Sequence, residues 1–419
     1  MSLPTRTPLR HLPAQLAQLS FLCAAPDEIL TDSEREVFLR LRDEPADLSA
    51  PCTLSAQIVL IMKATRLCNL RCTYCHAWKE GPDQVMPFEV LARATRDVLR
   101  RPAVKHVTFV WHGGEVTLLP VGFFKKALWL QQAFSNEHQT LSNAIQTNGT
   151  RLSEEWISLL SVGKFQIGVS IDGPRQGHDS KRKTKSGRPT WDKVKAGIAR
   201  LKAADLSFGV LVVVDKQVTE LGPKVLLDCL VEDLGVRGAA LLNVIPGNAG
   251  SIPSNGDYLP WADYVAFLRE MFRCWWPDYR NKIDIRELSS LVRVLSGGAP
   301  GTCVLAGQCM GRYLTVEANG TLSACDKYIG DDGLDFGNLL HSDLNTLLAR
   351  SGNLARAREQ AHLEKAKMAG CKYFAYCRGA CPHDRRLNQF YDRSWPGTCC
   401  GLADLLEEVH ATIQNGAST

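Results

Sequence analysis

The sequence predicts an α/β protein, a partial (β/α)6 TIM-like barrel followed by a cysteine-rich C-terminal domain and preceded by a short helical extension. The first observation behind this is a repeat. Apolar runs at 58–62, 107–111, 141–147, 165–171, 208–214 and 239–244 alternate with amphipathic stretches such as 87–100, 122–134, 153–160 and 191–204, the period of parallel strands joined by crossover helices. Six such units make an open barrel, short of the roughly eight that close one. The second observation is that polar motifs follow four consecutive runs, at the strand ends where parallel barrels carry their chemistry. The third is that most of the cysteines fall into two blocks with nearly bare chain between them.

At 419 residues, 45% of them hydrophobic, the chain has material for two or three domains with a sizeable core. Its net charge of +5 is mild and comes with no extended arginine–aromatic stripe, so no nucleic-acid partner is expected. No stretch reaches the roughly 18–20 apolar residues of a membrane span, so none is expected to enter a membrane.

Residues 1–55 form the extension. Arg6 and Arg10 precede a partly apolar run to Ala25, but Pro13, Gln15, Gln18 and Ser20 interrupt it, which argues against a secretory signal. The expected setting is a reducing cytoplasm. Thr31 or Ser33 should cap a helix carrying Glu34, Glu36, Val37, Phe38, Leu39 and Leu41. That helix is either a packing extension or a surface that grips a peptide.

Directly after the first apolar run come Cys68, Cys72 and Cys75. A zinc ion would want a fourth ligand, usually from a second short knuckle, and His76 is awkwardly placed to join the same ion. A 4Fe-4S cluster held by three thiolates instead leaves one iron open for another ligand. The total of fifteen cysteines, clustered as they are, reads as an intracellular metalloprotein rather than a disulfide framework. Gly113-Gly114-Glu115 follows the second run, Gln146 and Asn148 end the third, and Ser170 and Asp172 end the fourth. Of the basic residues near 181–185, Arg182 stands out as a planar donor for a carboxylate.

The barrel unit is assigned to 56–250 and a bridge with an aromatic helix at 261–276 to 251–300. The C-terminal domain, 301–419, contains Cys303, Cys309, Cys325, Cys371, Cys377, Cys381, Cys399 and Cys400. Cys23, Cys52, Cys229 and Cys274 match no motif and read as core thiols.

The run from Cys68 to Cys75 resembles the signature of the radical S-adenosylmethionine (radical SAM) superfamily. Trp111-His112-Gly113-Gly114-Glu115, Ile145-Gln146-Thr147-Asn148-Gly149-Thr150 and Ser170-Ile171-Asp172-Gly173-Pro174, with His178-Asp179 and Arg182, narrow the resemblance. They are similar to the radical SAM enzymes that carry a SPASM domain, in the branch of anaerobic sulfatase maturases and ribosomal-peptide maturases. The match spans about 56–400, with Val116 standing where that branch commonly has proline.

The resemblance implies a 4Fe-4S cluster on Cys68, Cys72 and Cys75, with S-adenosylmethionine on its open iron. Gly113 and Gly114 would present Glu115 to the methionine ammonium, and Ser170 and Arg182 would hold the carboxylate. Gln146, Asn148 and Asp172 would meet the ribose or orient the loop. It further implies one or two auxiliary 4Fe-4S clusters in an iron-sulfur SPASM domain, the first on Cys303, Cys309, Cys325 and Cys381. The second would use Cys371, Cys377 and Cys399 or Cys400. Met368 occupies a position where the family pattern has cysteine. Either the Cys399–Cys400 pair supplies the missing ligand, or the second cluster has an open iron, or it is absent.

Asp326, directly after Cys325, would take a proton from the substrate, with Tyr328 lining the same pocket. The implied activity is hydrogen abstraction by a 5'-deoxyadenosyl radical and oxidative modification, by crosslinking, of a ribosomally synthesised peptide. Formylglycine formation on Ser or Cys and small-molecule dehydrogenation are the alternatives. The implied partners are a peptide or protein substrate and an electron donor such as flavodoxin or ferredoxin.

Overall fold

The computed structural model describes residues 20–45, 54–244, 258–328, 331–392, 395 and 397–416. Cys52, most of the apolar run before Ala25 and most of the loop expected at 245–260 lie outside the described residues.

The six apolar runs are strands. They are β1 (Gln57–Thr65), β3 (His106–Gly113), β4 (Thr140–Thr147), β5 (Gln166–Ser170), β7 (Phe208–Val214) and β8 (Gly238–Asn243), with the short β2 (Leu70–Cys72) and β6 (Arg182–Thr184) set apart as an antiparallel pair. The six pair side by side in chain order, all parallel, as right-handed crossovers through helices require. Burial alternates along β3, so Val107, Phe109 and Trp111 share the face that is wholly covered. Trp111 meets Phe124 edge-on at 5.4 Å, and Phe124 meets Trp156 at 4.8 Å, which pins the helices Val121–Phe134 and Glu154–Val162 to the sheet.

The sheet does not stop where the repeat does. β9 (Asp284–Ile285) extends it beyond β8, and β10 (Tyr313–Val316), β11 (Thr321–Ser323) and β12 (Asp335–Asn338) extend it beyond β1, giving ten strands. β10 lies parallel to β1 with Val59 opposite Tyr313 and Met62 opposite Val316. The cysteine-rich domain therefore begins as the next strand of the barrel sheet. Gly320 turns the β10–β11 hairpin at φ +89°, a conformation that costs side-chain-bearing residues energy.

The bridge supplies helices Trp261–Asp278 and Arg286–Leu295. The last helix, Ala403–Gly416, packs against both, and Glu408 accepts from Arg269 and Arg273. In the extension, Thr31 caps the helix Asp32–Asp43 through a reciprocal pair of bonds with Glu34. Phe38 of that helix packs on Trp129 at 4.7 Å and on Phe134 at 5.6 Å, so this segment is fastened to the barrel's outer helical layer. Among the described residues no helix is long and apolar enough to cross a membrane.

Candidate active site

Three strand ends bind the first cysteine loop to the barrel. Two glycines make the closest approach. Gly114 N donates to Thr65 O and Glu115 N to Leu67 O, both at 2.7 Å. A methyl group at Gly114 would overlap the carbonyl oxygens of Arg66 and Leu67, which are backbone and cannot swing away. Gly114→Ala is therefore expected to displace the loop and abolish iron binding at Cys68, Cys72 and Cys75, as read by iron analysis of purified protein.

Glu115 is buried, and both its oxygens are engaged. Oε1 accepts from Thr117 N at 3.0 Å and from the Thr117 and Thr147 hydroxyls at 2.6 Å; Oε2 accepts from Asn148 N at 2.6 Å. Three of these bonds fall on Oε1 and one on Oε2, so Oε2 keeps one of the carboxylate's about four acceptor sites. Glu115 ties the Gly-Gly-Glu turn to the end of β4. Asn148 continues the tie, donating to Asn69 Oδ1 at 2.9 Å within the cysteine loop.

Asp172 is likewise internal, with no exposed surface. It accepts from the Tyr74 hydroxyl at 2.5 Å, from Arg182 Nε at 2.8 Å and Nη2 at 3.3 Å, and from Val213 N at 3.0 Å. Burial alone would raise the pKa of this carboxyl, but the Arg182 guanidinium holds it below the usual range. Arg182 in turn pairs across β2–β6 with Cys72 and stacks over the Tyr74 ring at 5.5 Å. Asp172 and Arg182 thus orient the cysteine loop. Gln146 and Ser170 are half-buried at neighbouring strand ends, joined by a 2.9 Å bond from Gln146 Nε2 to Ser170 Oγ.

Burial pushes Cys68 up to about 11 and Cys72 up to about 12, each raised further by the neighbouring thiols. Two of the sulfurs already accept amide protons, Cys68 from Leu70 N and Cys75 from Ala77 N, each at 3.4 Å. Protonated thiols in such a place become thiolates only with a cation to neutralise them, and amide bonds to sulfur are what iron-sulfur sites use to tune their potential. Arg66 Nε and Nη2 and His76 Nδ1 are buried without a partner among the described residues. Unpartnered polar atoms on residues that flank the cysteine loop in sequence fit a polar ligand such as S-adenosylmethionine. Among the described residues no three metal-binding side chains close on a single ion; a four-iron cluster spreads its cysteines around a larger body.

Sequence reasoning missed two residues. Lys63 is fully buried on β1, where it donates to Asp326 Oδ2 at 3.3 Å and meets His112 Nδ1 at 2.8 Å. Burial and the neighbouring Lys63 lower His112 to about 3, so its imidazole is neutral, with Nδ1 accepting from the ammonium. Burial would raise Asp326, but Lys63 outweighs it and holds the carboxyl at about 2. A lysine directly after the apolar run 58–62, with Ala64 and Thr65 continuing the strand, was the available signal. Arg66 makes a second link across the same seam, donating to both Glu317 oxygens at 2.8 and 3.0 Å.

In the C-terminal domain, Cys325 feels Cys381 and Cys309, and Cys381 and Cys309 each feel Cys303. Beside them Cys303 and Cys309 line a cavity of about 330 Å³. Lys327, bonded to Asp384 at 2.8 Å, lies 4.0 Å from the Cys381 sulfur. Tyr328 packs edge-on to His383 at 4.8 Å. Cys371, Cys377, Cys399 and Cys400 gather separately.

Residues 62–221 match the radical SAM superfamily model. The serine-type anaerobic sulfatase-maturating enzyme of Bacteroides thetaiotaomicron is 30% identical over 351 residues, covering 78% of this chain and 83% of that one. The chain belongs to this radical SAM family. A cysteine-type relative from Clostridium perfringens is 30% identical over 336 residues, covering 77% of this chain and 88% of that one. The structure of anSMEcpe with bound AdoMet and Kp18Cys peptide superposes with a TM-score of 0.72 at 27% identity, over 84% of this radical SAM enzyme and 99% of that chain. The barrel and the strands beyond it are thus the architecture of a radical SAM maturase of the SPASM branch, an oxidoreductase that acts on protein or peptide.

Proposed function

We propose that this radical SAM enzyme oxidises a residue of a peptide by two electrons, with Asp326 taking the proton, and that the product is a crosslink within a ribosomally synthesised peptide. The observation that carries the reading is the placement of Asp326. It follows a candidate cluster ligand, Cys325, and is bonded to Lys63 inside the barrel, so one carboxylate spans the seam between the two halves of the site.

When bound, the cluster at Cys68, Cys72 and Cys75 with S-adenosylmethionine supplies hydrogen-atom abstraction, and auxiliary clusters on the C-terminal cysteines supply an exit for a second electron. The chain's own groups do the rest. Glu115, Gln146, Ser170 and the Gly113–Gly114 backbone would hold the methionine and ribose, while Asn148, Asp172 and Arg182 fix the loop. Asp326 is ionised at neutral pH, ready to accept a proton, and the ammonium of Lys63 keeps it in place. The neutral His112 accepts from Lys63 and leaves its Nε2–H free to donate towards the substrate. A flavodoxin or ferredoxin is the expected electron source. The working units are 1–55, 56–250, 251–300 and 301–419.

The peptide substrate is supported by the peptide named in the anSMEcpe structure. Crosslinking is the reading that takes the segment before the first cysteine loop, whose helix Asp32–Asp43 packs on Trp129 and Phe134, as a further surface for gripping a peptide. A second reading, formylglycine formation, is favoured by 30% identity to both a serine-type and a cysteine-type sulfatase-maturating enzyme. Treating the product with a hydrazide separates them. Loss of two hydrogens without hydrazide labelling supports the crosslink; a labelled aldehyde supports formylglycine.

A further inference from the structure

β8 is the last full strand of the barrel, and only its residues Gly238 and Ala239 are paired on the outer side, by the short β9. Its C-terminal end is closed by side chains instead. Leu241 N donates to Glu287 Oε2 at 2.8 Å, and Leu241 O accepts from the Tyr264 hydroxyl at 2.7 Å. Glu287 lies in the first turn of the helix Arg286–Leu295, and Tyr264 in the helix Trp261–Asp278. Among this strand end, the two helices and the C-terminal domain lies a cavity of about 300 Å³.

The walls are largely apolar, with Leu242, Trp261, Leu268, Leu291, Leu305 and Leu405 among them. The charges on the walls are already paired. Arg286 Nη2 meets Glu287 at 2.6 Å and Lys327 meets Asp384 at 2.8 Å, so an ionised guest would enter with no counter-charge left to receive it. Two polar atoms of the lining residues are not paired. The indole Nε1 of Trp261, a residue only 6% exposed, and Asn243 Oδ1 have no partner among the described residues, and buried polar groups left so call for a ligand or a reason. Of the four cysteines implied for the first auxiliary cluster, Cys303 alone lines this cavity, so it is not the bed of that cluster. Its wall also carries Lys327, the chain neighbour of Asp326.

A guest that suits these walls is apolar over most of its surface, neutral, and carries one group that donates to Asn243 and accepts from Trp261. A phenol does both. Phenyl and alkyl groups do neither, an indole only donates and a carboxylate only accepts. Serine, threonine and the carboxamides have the polar group without the apolar body, and small-ligand sites combine a mostly apolar lining with a few placed polar groups. We infer that this cavity binds a tyrosine side chain of the substrate, with the ring among the leucines and the hydroxyl shared between Asn243 and Trp261. The inference rests on the proposed reading of the substrate as a peptide and names a residue that the peptide contains.

The test uses reconstituted full-length enzyme under anaerobic conditions, with N-acetyl-tyrosinamide, N-acetyl-phenylalaninamide and N-acetyl-glutaminamide as probes and ligand-observed NMR titration as the readout. S-adenosylmethionine binding is measured alongside as a check on folding. The tyrosine probe should bind about fivefold or more tightly than the phenylalanine probe, the net worth of one or two hydrogen bonds, and the glutamine probe should not bind. Asn243→Leu and Trp261→Phe each remove one partner of the hydroxyl and keep the walls apolar, so each should bring the tyrosine-to-phenylalanine ratio towards one while phenylalanine still binds. Leu242→Trp fills the cavity from a half-buried position and should abolish binding of both aromatic probes. If that variant also loses S-adenosylmethionine, the ratios in the other two decide. Equal affinity for the tyrosine and phenylalanine probes, a ratio unmoved by both Asn243→Leu and Trp261→Phe, tyrosine binding that survives Leu242→Trp, or no binding at all would overturn the assignment. The peptide reading fails separately: an enzyme that gives all the expected binding results but oxidises no tyrosine-containing peptide keeps the pocket and loses that substrate.

Discussion

Asp326→Asn is expected to lower peptide oxidation by about 10²-fold or more, the range a positioned general base contributes, while S-adenosylmethionine is still cleaved. The substitution preserves shape and removes only the charge and the basic oxygen. Among the described residues the bonded partner of Asp326 is Lys63 on β1, not a side chain of the first cysteine loop. Radical initiation should therefore survive and become unproductive, with 5'-deoxyadenosine accumulating in excess over modified peptide. Mass spectrometry of both products in one reaction gives their ratio. If the ratio stays at its wild-type value, the proton goes elsewhere and Asp326 is structural.

Asp172→Ala should be the most damaging single change in the barrel. The carboxylate has no solvent exposure and receives four bonds, from Tyr74, from Arg182 twice and from Val213. Removing it strands the buried guanidinium of Arg182, and breaking such a pair costs about 3–5 kcal/mol. The damage is also directional. Tyr74 sits between two of the thiols, and Arg182 is paired with Cys72 across β2–β6, so the loop loses its orientation along with its stability. The expected result is a lower denaturant midpoint together with loss of iron from the first site only. Unaltered iron at that site, with or without the stability loss, would show that the loop is positioned by other contacts.

The barrel was legible because six apolar runs with helical spacers form a local repeat, and the four strand-end motifs fell on the side where such barrels work. The added strands were not. β10, β11 and β12 are three or four residues long, too short to show a period, and β10 joins β1 across some 250 residues of chain. Such a pairing depends on the finished sheet edge rather than on any local pattern.

In the site, the sequence identified the residue types better than their work. Glu115, Asn148, Asp172 and Arg182 all converge on the cysteine loop, but most of their bonds go to neighbouring hydroxyls, side-chain amides, backbone amides and one another. Hydrogen-bond saturation is a property of the folded geometry. Lys63 was hidden for the opposite reason: a lysine within an apolar strand reads as an irregularity until Asp326 arrives from the other domain.

The most direct test of the account is to follow one hydrogen atom. Reconstituted, reduced enzyme is incubated anaerobically with S-adenosylmethionine and a candidate peptide carrying uniformly deuterated side chains, and the 5'-deoxyadenosine is weighed by mass spectrometry. The account predicts deuterium in 5'-deoxyadenosine, appearing in step with oxidised peptide and absent in a Cys72→Ala control. Oxidised peptide accompanied by wholly unlabelled 5'-deoxyadenosine would contradict it, because the hydrogen would then have come from somewhere other than a peptide side chain.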